Sequence, residues 1–245
     1  MSTGIWAAVS GATAQMAALD VAANNVANVA TPGFRADREV FAEALAGAME
    51  GRGAEALRYG SLRSVQPDLS VGRIVHTGRD LDVALTGEDG FFVVRTPDGD
   101  HYTRAGKLVV TPDGRVTTPD GHAFVGTDRK PLRVPPGATH VGVSTTGALV
   151  VDGAETNARL LVVRFPNPAG LEKAGHVLLR AGAEAGRPDA LEPALEVGAL
   201  ELSNASAVEG MTTLVTASRQ FEMLSRVIEA FAQVERGASN IMGSR

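Results

Sequence analysis

The chain has 245 residues, a net charge of −5 and only 4% aromatic residues. This length is enough to bury a core in one large domain or two smaller ones. The acidic balance argues against non-specific binding to nucleic acid or to an anionic membrane, and so few aromatic residues argue against a stacking platform for single strands. The absence of cysteine excludes disulfides and thiolate metal sites.

The N-terminal residues lack the features of a secretory signal peptide. They carry no basic n-region, and Ser10, Thr13, Gln15 and Asp20 interrupt any apolar h-region. No stretch approaches the roughly 18 apolar residues that a bilayer-spanning helix needs. We therefore predict no membrane insertion, and we expect any export to use a route other than a cleaved leader.

Apolar residues near the N-terminus recur in alternating steps of four and three, which predicts a long helix from Ile5 to Val29. Such a heptad seam is typical of a helix that packs against a partner along its length. The seam comprises Ile5, Val9, Ala12, Met16, Leu19, Ala23 and Val26. Beyond it, Thr31-Pro-Gly-Phe34 predicts a type II turn with Pro32 and Gly33 at the central positions.

Three asparagines, Asn24, Asn25 and Asn28, lie at the end of this helix although asparagine is a mediocre helix former. One interpretation is that buried amides bond to a neighbouring subunit and set its register, as a polar a-position does in coiled coils. The other is that the asparagines only fray and cap the helix end, since asparagine tolerates left-handed geometry. The residues alone leave both interpretations open.

The middle of the chain, residues 67–180, has short apolar runs separated by turn residues. The runs lie at 91–94, 107–110, 123–125, 141–143, 148–151 and 160–165. The tripeptide Pro-Asp-Gly occurs at 97–99, 112–114 and 119–121, and each Asp-Gly suits a hairpin or bulged turn. This pattern predicts an antiparallel, barrel-like or sandwich-like β domain. We predict a connecting helix or linker over 36–66 and a return linker over 181–202.

A second long helix is predicted near the C-terminus, where Ser206 and Glu209 match a capping box. One apolar stripe follows, comprising Leu214, Ala217, Phe221, Leu224, Ile228 and Phe231. Met223, Val227, Val234 and Ile241 widen it, so this helix should meet more than one neighbour. The predicted fold class is α+β: residues 1–35 and 203–245 form a coiled-coil-like helical layer into which the β domain is inserted.

No pattern of catalytic or metal-binding residues emerges. The five histidines are scattered without metal-site spacing, and there is no Gly-x-Ser-x-Gly elbow or phosphate loop. Asp80 and Asp82 would share one face of a strand, as paired acids in a hydrolase do, but a strand start neutralised by Arg79 or Arg104 is the favoured interpretation. We predict no catalytic residue, no cofactor and no metal.

Three stretches together resemble the flagellar rod and hook protein family. They are NNVANVATPGFR at 24–35, GRDLDVALTGEDGFFVV with YTRAG at 78–94 and 102–106, and GALELSNASAVEGMTTLVTASRQFEML at 198–224. They cover both ends and the middle in the family's order. Within the family, the length and the compact middle resemble the FlgF-like rod subtype more than the longer FlgG-like distal-rod subtype.

The resemblance implies a non-enzymatic subunit of the flagellar basal-body rod. Such subunits pass unfolded through the flagellar type III export apparatus and polymerise helically into the periplasmic drive shaft. The implied partners are copies of the chain, other rod proteins and, during secretion, the export apparatus. A non-catalytic secreted interaction module is the alternative from another class.

The expected assembly interface combines the two helices with the turn. It comprises Ile5, Val9, Ala12, Met16, Leu19, Asn24, Asn25, Asn28, Pro32, Gly33, Phe34, Leu214, Phe221, Leu224, Ile228 and Phe231. Because these faces exceed what two helices can cover, we expect the chain ends to become more ordered on contact with neighbouring subunits.

Overall fold

The computed structural model describes residues 3–43 and 60–243, with side chains described over 4–38 and 65–234. Two helices, α1 (Thr3–Ala27) and α2 (Ala207–Gly243), flank a region of strands, which confirms the predicted α+β class. The strands are β1 (Asp37–Glu43), β2 (Gly60–Pro67), β3 (Ile74–His76), β4 (Val83–Leu85), β5 (Phe91–Thr96), β6 (Gly99–Thr103), β7 (Val109–Val110), β8 (Val116–Thr117), β9 (Ala123–Phe124), β10 (Val141–Val143), β11 (Ala148–Val151), β12 (Ala154–Arg159), β13 (Val162–Arg164), β14 (Leu171–Lys173), β15 (Leu179–Ala181), β16 (Asp189–Leu191), β17 (Leu195–Val197) and β18 (Ala199–Glu201).

The chain divides into two compact units. Unit 1 contains α1, β1, β2 up to Gln66, and α2. Unit 2 contains residues 28–36 and 67–205, and therefore the remaining strands. The chain passes between the units at 27/28, 36/37, 66/67 and 205/206.

In unit 1, α1 and α2 pack antiparallel. A Cβ added at Gly4 would lie 3.1 Å from the Phe231 ring, and one at Gly11 would lie 3.2 Å from Leu224. At the other end of α1, Val26 lies against Gly210 of α2. Glycine at these positions lets large side chains of one helix approach the backbone of the other. The contacts at Gly4 and Gly11 lie one residue before Ile5 and Ala12, the corresponding residues of the predicted heptad seam.

The start of α2 follows the predicted cap. The Ser206 hydroxyl accepts a hydrogen bond from the Glu209 N–H at 3.3 Å, and the Ser206 carbonyl accepts one from Gly210 at 2.9 Å. These bonds satisfy amides that the first turn of a helix leaves without partners.

In unit 2 the strand pairs are antiparallel throughout. The largest sheet has nine strands, in which the order β14-β15-β6-β5-β9-β8-β7 is extended by β13 and β16. A three-stranded sheet β10-β11-β12 and the pairs β17-β4 and β18-β3 complete the unit. The Pro-Asp-Gly tripeptides connect β5 to β6, β7 to β8 and β8 to β9, and Gly99, Gly114 and Gly121 have positive φ. The turn predictions are therefore confirmed.

Two apolar clusters form the core of unit 2. Both faces of the central strand β5 are buried: Phe92 and Val94 belong to the larger cluster, and Phe91 and Val93 belong to the smaller one. The Phe92 ring meets the Phe124 ring edge to face, with centroids 6.0 Å apart. Burial on both faces explains why this segment is a continuous apolar run and not an alternating one.

The predicted linkers are partly wrong. Residues 36–66 were predicted to form a connecting helix or linker, but β1 and β2 lie there and pair with each other; residues 44–59 lie outside the described residues. Residues 181–202 were predicted to form a return linker, but they hold β16, β17 and β18. Each of these strands is three residues long and pairs with a distant part of the chain, so the Ala, Gly, Pro and charged residues around it dominate the local composition.

Gly106, which follows β6, provides a test of the packing in unit 2. A Cβ there would lie 1.7 Å from the Val83 carbonyl oxygen, so we expect Gly106→Ala to lower the free energy of unfolding by about 1–3 kcal/mol, the usual cost of overpacking. Urea unfolding followed by near-ultraviolet circular dichroism measures this. Gly87→Ala is the control, because its Cβ meets nothing within 4 Å. Equal effects of the two substitutions would contradict the packing described here.

Candidate assembly site

Asn25, near the end of α1, forms hydrogen bonds with Asp37, the first residue of β1. The Asn25 side-chain oxygen accepts a hydrogen bond from the Asp37 N–H at 2.7 Å, and its amide nitrogen donates to the Asp37 carbonyl at 2.9 Å. Asn24 donates to the Asp37 carboxylate at 2.6 Å. The Asn25 amide thus offers Asp37 one donor and one acceptor, as a neighbouring strand would. Neither sequence-based interpretation of the asparagines anticipated this use inside the subunit.

The predicted turn after α1 is confirmed. Phe34 donates its N–H to the Thr31 carbonyl at 3.3 Å, and Gly33 has a φ of 72°, as the third residue of a type II turn requires. A Cβ at Gly33 would lie 2.3 Å from the backbone nitrogen of Ala105, so no other residue fits here. The Asn28 side-chain oxygen accepts a hydrogen bond from the Thr31 hydroxyl at 3.1 Å.

The turn directs two side chains into unit 2. Phe34 is fully buried, and the Lys173 ammonium lies 4.0 Å from the centre of its ring, a cation–π contact. Arg35 is also buried, and its Nη2 donates to the Glu201 carboxylate at 2.5 Å.

Glu201 lies at the centre of a buried charge cluster. Its carboxylate also accepts hydrogen bonds from Arg104 Nε at 2.8 Å and from the Gly72 N–H at 2.8 Å. Its own backbone carbonyl accepts one from the Gly33 N–H at 2.8 Å. Glu201 is fully buried, and Arg35 and Arg104 are 3% and 1% exposed. Charges this deeply buried are tolerated only when they are paired and hydrogen-bonded.

The remaining donors of Arg104 bind carbonyls of the loop that precedes β5. Its Nη1 donates to Gly87 at 2.8 Å and to Gly90 at 2.6 Å. Burial lowers the pKa of the Arg104 guanidinium below its ordinary value, whereas the adjacent Glu201 carboxylate acts in the opposite direction. The group remains cationic, as arginine does in proteins.

This cluster was not among the predicted sites, although each of its members lies in a stretch that carries the family resemblance. Arg35 ends the first stretch, Arg104 lies in YTRAG, and Glu201 lies in the third. One signal was available in the sequence: each charged residue has apolar or small neighbours. That signal does not identify which charges pair.

Some of the predicted interface residues of the helices are buried or lie against the other helix, and others are exposed or half-buried. Ala12 is buried, and Leu224 and Phe231 lie against α1. Val9 and Met16 of α1 are exposed, the latter by 53%. Ile5, Leu19, Leu214, Phe221 and Ile228 are half-buried.

More large apolar side chains are exposed on both helices. Trp6 joins Val9 and Met16 on α1. Along α2 the exposed residues are Val208, Met211, Val215, Met223, Val227 and Val234, and the first and last of these are 76% and 70% exposed. Exposed apolar surface that extends along a helix marks an interaction site more often than an ordinary surface.

Asp82, one of the two acids considered for catalysis, forms an ion pair with Arg79. It accepts hydrogen bonds from Arg79 Nε at 2.9 Å and from the Thr77 hydroxyl at 2.7 Å. Burial alone would raise the pKa of Asp82, but these hydrogen bonds and the charge of Arg79 outweigh it and hold the pKa below its ordinary value. The favoured interpretation, neutralisation by Arg79, is confirmed.

Within the described ranges, no three or more histidine, aspartate or glutamate side chains are placed to hold a metal ion. Neither α1 nor α2, over its described residues, is apolar enough along its length to cross a membrane.

Three family models match the chain in succession. Residues 5–35 match the flagella basal body rod protein model, residues 84–151 match the flagellar hook protein FlgE/F/G D1 domain, and residues 196–241 match the flagellar basal body rod FlgEFG protein C-terminal model. The flagellar basal-body rod protein FlgG of Bacillus subtilis is 30% identical over 98% of this chain and 99% of its own length. FlgF of Escherichia coli is 32% identical over 94% of each chain, and FlgG of Caulobacter vibrioides is 30% identical over 96% of this chain and 97% of its own.

We expect Glu201→Gln to destabilise unit 2 strongly, because it leaves two buried guanidinium groups without a counter-charge. Breaking a buried ion pair from one side costs about 3–5 kcal/mol, measured here as the free energy of unfolding in urea. Glu172→Gln is the matched control, because the Glu172–Arg180 pair is exposed and such pairs contribute less than about 1 kcal/mol. Similar losses for the two variants would show that the cluster is not a stabilising centre.

We expect Asn25→Ala to expose the backbone of Asp37, because it removes both hydrogen bonds to that residue. Loss of a bond worth roughly 1 kcal/mol predicts amide hydrogen exchange at Asp37 about fivefold faster, measurable by NMR. Gln220→Ala, on an exposed part of α2, should leave that rate unchanged. An unaltered Asp37 rate in Asn25→Ala would mean that the pairing does not protect this amide.

Proposed function

This chain belongs to the flagellar basal-body rod protein family, and we propose on that basis that it is a structural subunit of the bacterial flagellar rod. In this proposal it polymerises helically through α1 and α2 and has no catalytic activity. The relatives with which it aligns nearly end to end are named as rod proteins, which supports the proposal.

The observation that carries the proposal is the exposed apolar surface of unit 1. Each helix covers one side of the other, yet large side chains such as Met16 and Met223 remain exposed. A heterologous contact between such surfaces, repeated without closing into a ring, produces a filament. We propose that further helices cover these residues and extend the α1–α2 pair into a coiled-coil-like layer.

The predicted interface residues that the folded subunit leaves accessible enter the proposal, with Ile5, Val9, Met16 and Leu19 contributed by the first helix. Ala12, Gly33 and Phe34 are buried within the subunit and would support the interface from inside. We also propose residues 1–35 and 203–245 as the assembly domain. Within this range, residues 28–36 pack in unit 2. We assign an indirect role to Asn25: it would set register by fixing where the chain leaves α1. Asn24 and Asn28 remain candidates for direct contact.

We further propose copies of this chain and other rod proteins as partners. We also propose passage through the flagellar export apparatus and a final position in the periplasmic rod. FlgF-like is the proposed subtype, and the FlgG-like distal-rod subtype is the alternative, since both occur among relatives of similar identity. Unit 2 would be a closed, barrel-like or sandwich-like β domain. Contact with neighbours would order the chain ends further, so helix content should rise with concentration.

We expect the double substitution Met211→Ser and Val215→Ser to abolish assembly without unfolding the subunit. Both side chains are exposed, so the free energy of unfolding should change by less than about 0.5 kcal/mol per site. Sedimentation velocity and electron microscopy, with and without the other rod proteins of the same organism, measure assembly. Thr213→Ser with Gln220→Ser is the matched control on exposed polar positions of α2.

Two results would count against the proposal. A wild-type chain that stays monomeric with itself and with rod proteins would favour the secreted interaction module. A Met211/Val215 variant that assembles like the wild type would remove this surface of α2 from the interface.

A further inference from the structure

Asn204, three residues after Glu201, binds two other chain segments in unit 2. Its side-chain oxygen accepts a hydrogen bond from the Ala36 N–H at 2.7 Å. Its amide nitrogen donates to the carbonyls of Asp68 at 2.9 Å and Ser70 at 3.0 Å. A single side chain therefore uses both its acceptor and its donors on backbone groups far away in sequence.

The segments that Asn204 binds are also bonded to each other. Asp68 donates its N–H to the Ala36 carbonyl at 2.7 Å. Together with the bonds from Ala36 to Asn204 and from Asn204 to Asp68, this closes a ring of three hydrogen bonds. Every member of the ring lies within two residues of a point where the chain passes between the units. Three of the four such points are thus held together within unit 2.

The buried cluster holds the same segments a second time. Glu201 binds Arg35, which precedes Ala36, and the N–H of Gly72, which follows Ser70 by two residues. The segments are also in close contact, since a Cβ at Gly72 would lie 1.9 Å from the Leu202 carbonyl oxygen. The segments joined by the ring of hydrogen bonds are therefore also joined by the buried cluster.

We infer that Asn204 is a positioning residue for assembly. It holds together the three segments that connect unit 2 to the helical unit, so that they are ordered before subunits meet. Association then orders fewer residues and loses less conformational entropy. This inference rests on the proposed function, because it needs a subunit that assembles.

The test uses the full chain with Asn204→Ala and Asn204→Asp. Asn204→Ala removes every bond of the ring that the side chain makes, so the Ala36 amide should exchange about fivefold faster. Asn204→Asp keeps the acceptor for Ala36 and loses the donors, so Ala36 should stay protected. The concentration at which each variant assembles should rise severalfold for Asn204→Ala and less for Asn204→Asp. Asn157→Ala and Asn157→Asp, at an exposed position in β12, should change neither quantity.

Asn204 could affect assembly only by stabilising unit 2, and Gly106→Ala tests this. That substitution destabilises unit 2 at a site outside the ring of hydrogen bonds. Positioning predicts that Asn204→Ala weakens assembly much more than Gly106→Ala does, at temperatures where both are folded. Equal weakening by the two would overturn the inference, and so would wild-type assembly by an Asn204→Ala chain. If Asn204→Ala does not fold, Asn204→Asp decides by the same comparison. Failure of the wild-type chain to assemble would instead overturn the proposed function.

Discussion

Two guanidinium groups and one carboxylate are buried together in unit 2 and pair with one another, although Nε and Nη1 of Arg35 have no hydrogen-bond partner among the described residues. Removing such groups from water costs several kcal/mol per ion even after the protein relaxes. The cost is offset by the Arg35 and Arg104 bonds to Glu201 and by the bond from the Gly72 N–H. The type II turn, the loop before β5 and strand β18 each supply a part. A shift of the turn that carries Arg35, or of strand β18, which carries Glu201, would separate a buried charge from its partner.

The two units differ in how completely they bury their large apolar side chains. In unit 2, large side chains such as Phe92, Phe124 and Leu149 are completely buried, and the charged residues inside are paired. In unit 1, glycines let α1 and α2 approach closely along one line, while valines and methionines elsewhere on the helices remain exposed. In the proposed assembly, neighbouring subunits would cover the exposed residues of unit 1.

Local signals in the sequence predicted much of the fold. The apolar periods indicated both helices to within two residues of their observed starts, and the Asp-Gly turns indicated the hairpins of unit 2. Non-local pairing was missed, because a strand such as β17 or β18 has three residues and its partner lies more than a hundred positions away. Near the start of α1 the contacts lie one residue before the predicted seam, because the pattern counted apolar side chains and gave no weight to glycine, whereas the observed contacts use Gly4 and Gly11.

The candidate site was predicted less well than the fold. The exposed face of α2 followed from counting apolar residues, since Met223, Val227 and Val234 exceed what one partner can cover. The role of Asn25 could not be predicted, because its partner is a backbone group whose position depends on the turn. The same holds for Asn204 and Glu201: a polar residue in a motif shows that something is bound, but only the folded chain shows what.

The order of the charged residues along the chain has a consequence for folding during synthesis, which proceeds from the N-terminus. Arg35 and Arg104 emerge first, and the carboxylate that neutralises both follows 97 positions after the second. Until then, closing the β domain would bury two cations without a counter-charge. Synthesis would therefore leave the β domain without its internal counter-charge until residue 201 has been added.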